Sequence, residues 1–389
     1  MPRQLPNWIE SYLEYTENTE SEEIFRKWVA ISTIASVMQR KCRLPFGVID
    51  FYPNMYIVLV GPPAACKGTA IAPARQFLDM LGINIAADEA SRQKLVQALL
   101  DADAVHTDQH GTSYMHCSLT IIASELTVFL GYNNTELLAV LCKWFDCENR
   151  FIYDTHKHGW QEVNNVWVNL LGATTPTQIQ ASMPSAAIGS GFTSRTVFVY
   201  DKGGSKCIIV PVLSAEQRLL QPKLHTDIGH IKKMVGDFKY SQEFIEEYGV
   251  WRADAQQNPP FRDPRLLFYT QRRKVHILKL SMIYSAACRE DMILRLCDFE
   301  QARNALHEAE VRMPRVFEGL GGNPLAAVQV QVMREVAEKG RVPMKALMAM
   351  FRDEVDTNQM ALIIATLEES GWCAMDVVKR EVVYKGDQR

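Results

Sequence analysis

The sequence predicts an α/β protein whose centre is a parallel sheet flanked by helices. Two observations carry this expectation. The first is a set of four short, almost uninterrupted apolar runs, at residues 55–60, 119–123, 166–171 and 195–200. The second is that stretches with apolar residues at helical spacing lie between these runs. Such runs are typical of strands that are buried on both faces of a parallel sheet. Because strands and helices alternate, we expect an α/β domain over about residues 51–205.

Length, charge and cysteine content limit the class of protein. The 389 residues are enough for two or three domains of about 150 residues each. A net charge of −3, from 42 Lys plus Arg against 45 Asp plus Glu, excludes a histone-like polycation but not a local basic surface. We expect no membrane partner, because no apolar run reaches roughly 18–20 residues and the polar N-terminus has no signal-peptide core. Nine cysteines without a C-x-x-C pair favour a reducing, cytoplasmic setting.

The regions around the α/β core have patterns of their own. The N-terminal region is predicted to be helical, because apolar residues recur at helical spacing from Trp28 to Met38. Within the core, two semi-alternating segments flank a polar tip at 156–158 and predict a β-hairpin. Beyond the glycine-rich stretch 319–324, three helices and a strand pair match the plan of a winged helix. The expected domains are a helical segment, 1–50, the core, 51–205, a helical lid, 206–322, and a winged helix, 323–389.

The first motif that carries chemistry follows the first apolar run and should open a helix. It consists of Gly61, Pro62, Pro63, Ala64, Ala65, Cys66, Lys67, Gly68 and Thr69. A glycine-rich turn in this position is typical of a P-loop, whose backbone N–H groups surround the phosphates of a nucleotide. Lys67 would then reach the outer phosphates of ATP, and Thr69 would offer the nearest hydroxyl to Mg²⁺.

The match to the P-loop pattern G-x-x-x-x-G-K-[ST] is imperfect at two positions. Cys66 stands at the second glycine, and Gly68 displaces the hydroxyl residue by one position. The alternative interpretation is a glycine-rich turn that contains a lysine by chance.

Two further strand ends carry polar residues that suit nucleotide hydrolysis. The second apolar run ends at Ser124 and Glu125, and Glu125 would polarise the attacking water as a Walker B residue. Ser124 replaces the usual aspartate. The third run leads to Thr174 and Thr175, our first and second candidates for a sensor of the γ-phosphate. The alternatives are a helix start at Glu125 and an ordinary strand-to-loop turn at the threonines.

Arg195 begins the fourth apolar run, directly after the glycine-containing stretch 189–194. An arginine in this place is suited to reach the γ-phosphate of a neighbouring subunit, as an arginine finger in trans. A surface salt bridge is the alternative.

The order of these elements resembles AAA+ ATPases of the superfamily III and minichromosome-maintenance helicase kind. It is closer still to a group of phage and prophage AAA+ proteins described as replicative or primase-associated helicases. The resemblance is carried, over roughly residues 25–290, by YPNMYIVLVGPPAACKGTA, IIASELTVFL, KWFDCENRFIYDTHKHG, VNLLGATTP, IGSGFTSRTVFVY and RRKVHILKLSMIYSA. Each stretch alone is a loose match, and their order and spacing make the set specific.

The resemblance implies a hexameric ring around DNA, single-stranded in a central channel, that hydrolyses ATP at subunit interfaces. Thr69 and Glu125 would hold Mg²⁺. The hairpin would carry His156, Lys157 and His158 to the phosphate backbone, which a motor contacts without reading sequence. A solvated turn is the alternative for this tip. A replication initiator or a primase would be a further partner, in the cytoplasm of a bacterial host.

The sequence leaves the roles of two further regions open. Arg272 and Arg273 fall where the lid of such ATPases often supplies a second arginine to the nucleotide, and ordinary surface charge explains them equally well. From residue 325 on, 9 Lys plus Arg stand against 10 Asp plus Glu, a net charge of −1. Because a duplex-binding winged helix is usually basic, this composition favours a protein partner or weak DNA binding. The residues nearest to the expected recognition helix are Lys345, Asn358 and Gln359.

The leading hypothesis is an ATP-dependent DNA helicase or translocase of the phage replication type. A nucleotide-binding initiator or helicase loader with little or no hydrolysis is the alternative, motivated by Cys66 and Ser124. The sequence G-K-G-T raises a third hypothesis, a small-molecule phosphotransferase. The order of the motifs, which is that of helicases, disfavours it. A zinc site from Cys142, Cys147, His156 and His158 is a further alternative, although the spacing of these residues fits no standard closed site.

Overall fold

A computed structural model of the chain describes residues 2–385 except 108–110, 112, 156–158, 184–190, 262, 318–324, 353 and 377. The chain divides into two units, Met1–Phe317 and Glu318–Arg389. No helix in the described ranges is both long enough and apolar enough to cross a membrane.

The first unit alternates helices and strands. Its helices are α1 (Trp8–Tyr15), α2 (Glu23–Met38), α3 (Lys67–Met80), α4 (Arg92–Asp101), α5 (Leu126–Leu130), α6 (Thr135–Phe145), α7 (Pro176–Ser182), α8 (Gly191–Arg195), α9 (Ala215–Lys233), α10 (Gln242–Gln257), α11 (Leu267–Cys288) and α12 (Leu296–Arg312). Its strands are β1 (Cys42–Phe46), β2 (Ile49–Phe51), β3 (Tyr56–Val60), β4 (Asp103–Thr107), β5 (Ser113–Ala123), β6 (Arg150–Thr155), β7 (Gly159–Asn164), β8 (Val166–Thr174), β9 (Thr196–Tyr200), β10 (Gly236–Asp237), β11 (Lys239–Tyr240) and β12 (Ile293–Leu294). Short 3-10 helices cover Gln39–Lys41, Pro264–Leu266 and Met313–Phe317.

The central sheet has five strands in the order β4-β5-β8-β3-β9. The pairs β5–β8, β8–β3 and β3–β9 are parallel, and β4 is an antiparallel edge strand. Every residue of β3 and β8 is buried, which explains why their sequences are continuous apolar runs rather than alternating ones. The predicted α/β class with a parallel sheet is therefore confirmed at this level, with one antiparallel strand added.

Helices cover both faces of this sheet. The Asn169 side chain in β8 bonds to the Ser32 and Ser36 hydroxyls of α2, at 2.9 and 3.0 Å, so α2 lies on one face. Tyr56 pairs with Leu170, the next residue of β8, whose side chain points to the other face. The Tyr56 hydroxyl donates to the Leu141 carbonyl of α6 at 2.8 Å, so α6 lies on that opposite face.

The structure differs from the sequence-based expectation at the end of the N-terminal region. Residues 42–50 lie in the segment expected to be helical, and together with Phe51 they form the antiparallel hairpin β1–β2. The reversal uses Gly47 at φ +68°, a left-handed conformation that favours glycine, and Pro45 disfavours a helix before it. The helical pattern ends with α2, at Met38.

The hairpin predicted between the second and third apolar runs is present as β6–β7. Its register runs from Arg150 opposite Asn164 to Thr155 opposite Gly159. The tip, with His156, Lys157 and His158, lies outside the described residues. The stem leads directly into β8, so the hairpin lies at the amino end of the sheet.

The second unit contains α13 (Ala326–Lys339), β13 (Arg341–Pro343), α14 (Met344–Met350), α15 (Thr357–Glu369), β14 (Cys373–Asp376) and β15 (Glu381–Tyr384). These elements match the predicted order of three helices and a strand pair, with the short strand β13 added. The strands form an antiparallel sheet in the order β13-β15-β14. Its core includes Val332, Val336, Leu347 and Ile363, all fully buried. The predicted glycine-rich linker, 319–324, lies outside the described residues.

Candidate functional site

Three parallel strands bring the predicted catalytic residues to one edge of the sheet. Val60 of β3 pairs with Thr174 of β8, and the Gly61 N–H donates to the Thr174 carbonyl at 3.3 Å. Ala123 of β5 pairs with Gly172, so Glu125, two residues later, stands level with Thr174. The P-loop, Glu125 and Thr174 therefore meet at the carboxyl edge, where ligands bind in open α/β sheets.

Close backbone packing holds the predicted P-loop. A side chain at Gly61 would place its Cβ 2.5 Å from the Asp201 carbonyl oxygen, so only glycine fits there. A Cβ at Gly203 would lie 2.8 Å from the Ala65 Cα. The loop thus rests against the segment that follows β9. Ala64 and Cys66 adopt left-handed conformations, with φ +64° and +53°.

Lys67 is the first residue of α3 and its side chain lies across the loop. Its Nζ donates to the carbonyls of Gly61 and Pro62, both at 2.8 Å. Burial lowers the pKa of Lys67, and the nearby negative charge of Glu125 acts in the opposite direction. The amine therefore lies close to both the loop and Glu125.

The start of α3 is suited to an anion. Cys66 occupies the N-cap position and gives no side-chain cap, so within the described residues the first N–H groups have no capping side chain. Such N–H groups and the helix dipole attract phosphate. Gly68 has open space around it, and Thr69 is exposed on the first turn.

Glu125 and Thr174 differ in their surroundings. Glu125 is exposed and immediately precedes α5. Thr174 is buried, and its hydroxyl lies 3.4 Å from the Gln178 Oε1. Thr175, the second sensor candidate, caps α7 instead, because its hydroxyl accepts from the Gln178 N–H at 3.3 Å. The helix cap gives Thr175 a structural role and leaves Thr174 as the stronger candidate.

The donors at this edge fit Mg²⁺ and ATP. Thr69 and Glu125 offer exposed oxygen atoms, and Mg²⁺ in nucleotide sites takes one or two protein ligands together with phosphates and waters. Among the described residues, no three His, Cys, Asp or Glu side chains cluster as a metal site of their own.

A cavity of about 580 Å³ opens beside the P-loop. The end of β9, the start of α2 and the end of α12 line it, including Tyr200, Asp201, Gly203, Arg312 and Arg315. Its volume lies in the range of small-molecule sites. Arg312 forms an ion pair with Asp201, and the other charged residues of the lining include carboxylates as well as basic side chains, so the cavity is of mixed charge. The sequence offered no signal for it, since the stretch containing Arg312 and Arg315 shows only helical spacing.

Arg195 lies at the opposite end of the sheet from the P-loop. It is the last residue of α8, and Thr196 after it pairs with Tyr56 at the amino end of β3. At about 3.3 Å per residue, the five residues of β9 put roughly 16 Å between Arg195 and the carboxyl edge. Arg195 therefore does not serve the P-loop of its own chain.

The two lid arginines of the sequence analysis have different partners. Arg272 bonds through Nη1 to Asp146 Oδ1 at 2.9 Å, and Asp146 also pairs with Arg195. Arg273 makes a buried bidentate pair with Glu310, at 2.7 and 2.8 Å. Arg273 thus joins α11 to α12. The expectation that one of them contacts the nucleotide stays a prediction; Arg272 lies beside Arg195, and Arg273 is held by Glu310.

The remaining candidates receive no new support. His156, Lys157 and His158 lie outside the described residues. The two histidines are also two of the four ligands of the alternative zinc site. Cys147 is buried with its Sγ 3.3 Å from the Asn54 Oδ1. No protein-family model matches the sequence, and no curated protein matches it either.

Proposed function

We propose that the chain is an ATP-dependent DNA helicase or translocase of the phage replication type, which acts as a hexameric ring. The observation that carries this proposal is the separation of the candidate residues between two edges of one sheet. Gly61–Thr69, Glu125 and Thr174 meet at the carboxyl edge, whereas Arg195 lies at the amino edge. A nucleotide bound by one copy would then receive its arginine from the next copy.

Each residue would have a stated task in hydrolysis. Lys67 and the N–H groups of the loop would hold the phosphates, and Thr69 would contact Mg²⁺. Glu125 would take a proton from the attacking water, and Thr174 would orient that water. Arg195 would stabilise the charge that develops on the γ-phosphate bound by its neighbour. Because this stabilisation comes from another copy, turnover would depend on assembly.

The finer architecture belongs to the same proposal. The core, 51–205, would be an AAA+ domain, 206–322 its lid, and 323–389 a winged helix. The hairpin β6–β7 would bring Lys157 and its two histidine neighbours to single-stranded DNA in the channel. An initiator or a primase would contact the winged helix, in the cytoplasm of a phage-infected or prophage-bearing bacterium.

DNA-stimulated ATP hydrolysis and strand separation by the purified chain test this function. Glu125→Gln should lower turnover by about 10²-fold or more, because the water loses its base. Arg195→Ala should lower it by about 10³-fold or more. Wild-type turnover in both variants would contradict the mechanism.

A nucleotide-binding initiator or loader with little hydrolysis is the second candidate. Cys66 and Ser124 favour it. The side chain of Cys66 occupies the N-cap of α3, where phosphate would approach, and Ser124 supplies no carboxylate for Mg²⁺. Normal loading of DNA or of a partner helicase by Lys67→Ala, which would impair hydrolysis, would favour this candidate over the motor.

A further inference from the structure

A single carboxylate at the amino edge of the sheet holds two arginines. Asp146 follows the last turn of α6, and its Oδ1 and Oδ2 pair with Nε and Nη2 of Arg195. The same Oδ1 accepts from Arg272 Nη1 at 2.9 Å. The two guanidinium groups come from α8 and α11, and they lie side by side because their bonds end on one oxygen.

The cluster of Asp146, Arg195 and Arg272 carries more positive than negative charge. Within the described part of the chain, Asp146 is the only carboxylate that forms an ion pair with Arg195 or Arg272. Burial alone would raise the pKa of Asp146, and the hydrogen bonds and charges of the two arginines lower it overall. Asp146 therefore stays ionised and neutralises one of the two guanidinium charges. The second charge remains to attract an anion.

Arg195 keeps hydrogen-bonding capacity in this arrangement. A guanidinium has five N–H groups. Nε and Nη2 donate to Asp146, and Nη1 donates to the Gly191 carbonyl at 2.9 Å, which leaves two N–H groups beyond the bonds described here. Paired N–H groups of arginine match the spacing of phosphate oxygens. The chemistry of the cluster thus fits a phosphate.

We propose that Asp146 is a positioning residue that aligns Arg195 and Arg272 as a phosphate clamp for the nucleotide of a neighbouring copy. This inference rests on the proposed function and adds two residues to it. Asp146 does not touch the phosphate. It fixes both guanidinium groups before the neighbour arrives, so that less side-chain entropy is lost when the γ-phosphate is engaged.

The substitution Asp146→Asn tests the role of the carboxylate while keeping its size. The P-loop binds nucleotide without Asp146, so the KM for ATP should stay within about twofold of wild type while kcat falls about tenfold or more. Asp50→Asn is the matched control, because Asp50 pairs with Arg43 at 3.1 Å and is 38% exposed, against 39% for Asp146. Wild-type kcat in Asp146→Asn would overturn the inference.

A mixing experiment shows whether Asp146 acts on the neighbour. Glu125→Gln and Asp146→Asn are each prepared alone and then mixed in equal amounts. If the two residues serve one nucleotide from different copies, about a quarter of the head-to-tail interfaces in random rings carry both intact residues and regain turnover. No gain over the average of the separate proteins would overturn the action in trans.

The outcomes separate this inference from the proposed function. Full turnover by Glu125→Gln would reject the hydrolytic site itself. An inactive Glu125→Gln together with a fully active Asp146→Asn would reject only the clamp. Loss of DNA binding by Asp146→Asn with unchanged hydrolysis would also reject it, because the cluster would then serve nucleic acid phosphates.

Arg272→Gln provides a second test that does not depend on the stability of Asp146→Asn. Arg272 is partly exposed on α11, so its replacement leaves no buried charge without a partner. It should lower kcat at unchanged KM, by less than Arg195→Ala does. An Arg272→Gln protein with wild-type kcat would overturn the clamp even if Asp146→Asn failed to fold.

Discussion

At the scale of single residues, the most informative position is Cys66. A non-glycine residue in a left-handed conformation costs roughly 1–2 kcal/mol. Cys66 carries this cost with φ +53°, at the position where the P-loop pattern has glycine.

We expect Cys66→Gly to raise the free energy of unfolding by about 1 kcal/mol, because glycine adopts the left-handed conformation freely. It should also tighten nucleotide binding, since the side chain at the start of α3 is removed. Chemical denaturation and titration with a fluorescent ATP analogue measure the two effects.

Ala64→Gly is the matched control for this prediction. Ala64 has nearly the same conformation, φ +64°, but loses only a methyl group. An equal gain in affinity from both variants would show that backbone flexibility, rather than the thiol, limits binding.

At the scale of elements, α11 fixes the position of α8 and with it Arg195. His276 of α11 is fully buried, stacks on Tyr269 with ring centroids 5.4 Å apart, and lies 3.3 Å from the Ser194 carbonyl. Burial lowers the pKa of His276 to about 3. The contact between α8 and α11 is therefore made by a neutral imidazole.

This neutral histidine predicts a loss of stability in acid. The unfolded chain protonates His276 below pH 6.5, whereas the folded chain does so only near pH 3, so the unfolded state gains protons first as the pH falls. Between pH 6.5 and pH 5 this costs about 2 kcal/mol at about 1.4 kcal/mol per unit. His276→Gln, which keeps a donor for Ser194, should lack this part of the pH dependence.

Urea denaturation of both proteins at several pH values measures that difference. Near pH 7 the two proteins should differ little, and the wild type should lose more stability than the variant toward pH 5. Parallel pH profiles would contradict the assignment of the effect to His276.

The elements also show how far a sequence predicts this fold. The runs at 55–60 and 166–171 identified β3 and β8, because strands buried on both faces contain little but apolar residues. The sequence did not predict the hairpin β1–β2 or the edge strand β4. All three strands are short; β2 and β4 are largely exposed, and β1 mixes buried with exposed residues, so none carries a comparable apolar run.

The sequence predicted those parts of the candidate site that directly follow a strand. Gly61–Thr69, Glu125 and Thr174 each follow a recognisable strand, and parallel strands bring their carboxyl ends together. Arg312 and Arg315 were not predictable, because they reach the cavity at the end of β9 from a part of the chain more than 100 residues further along. Only packing determines which arginine of which helix arrives there.

At the scale of the whole molecule, the chain consists of two units with separate cores. The second unit has its own set of fully buried side chains, among them Val332, Val336 and Leu347. The loss of packing at one of these should therefore affect the second unit alone.

We expect Leu347→Ala to destabilise the second unit by about 2–5 kcal/mol, through lost burial and the cavity that remains. The unfolding transition of the first unit, and the ATP affinity of its P-loop, should not change. Calorimetry combined with limited proteolysis distinguishes the two transitions.

Leu362→Ala is the control, since Leu362 is exposed in the same unit and its loss should change stability by about 0.5 kcal/mol or less. An equal shift of both transitions by Leu347→Ala would show that the units unfold as one.

The strand β9 has a mechanical consequence. Arg195 precedes its first residue, and Asp201, whose carbonyl lies against Gly61, follows its last. Five hydrogen-bonded residues in a packed sheet resist compression along their length. A displacement of Arg195 would therefore be carried along β9 to Asp201 and to the loop that rests against it. In the proposed ring, β9 would thus connect the nucleotide of the neighbouring copy, which Arg195 contacts, with the nucleotide bound by its own copy.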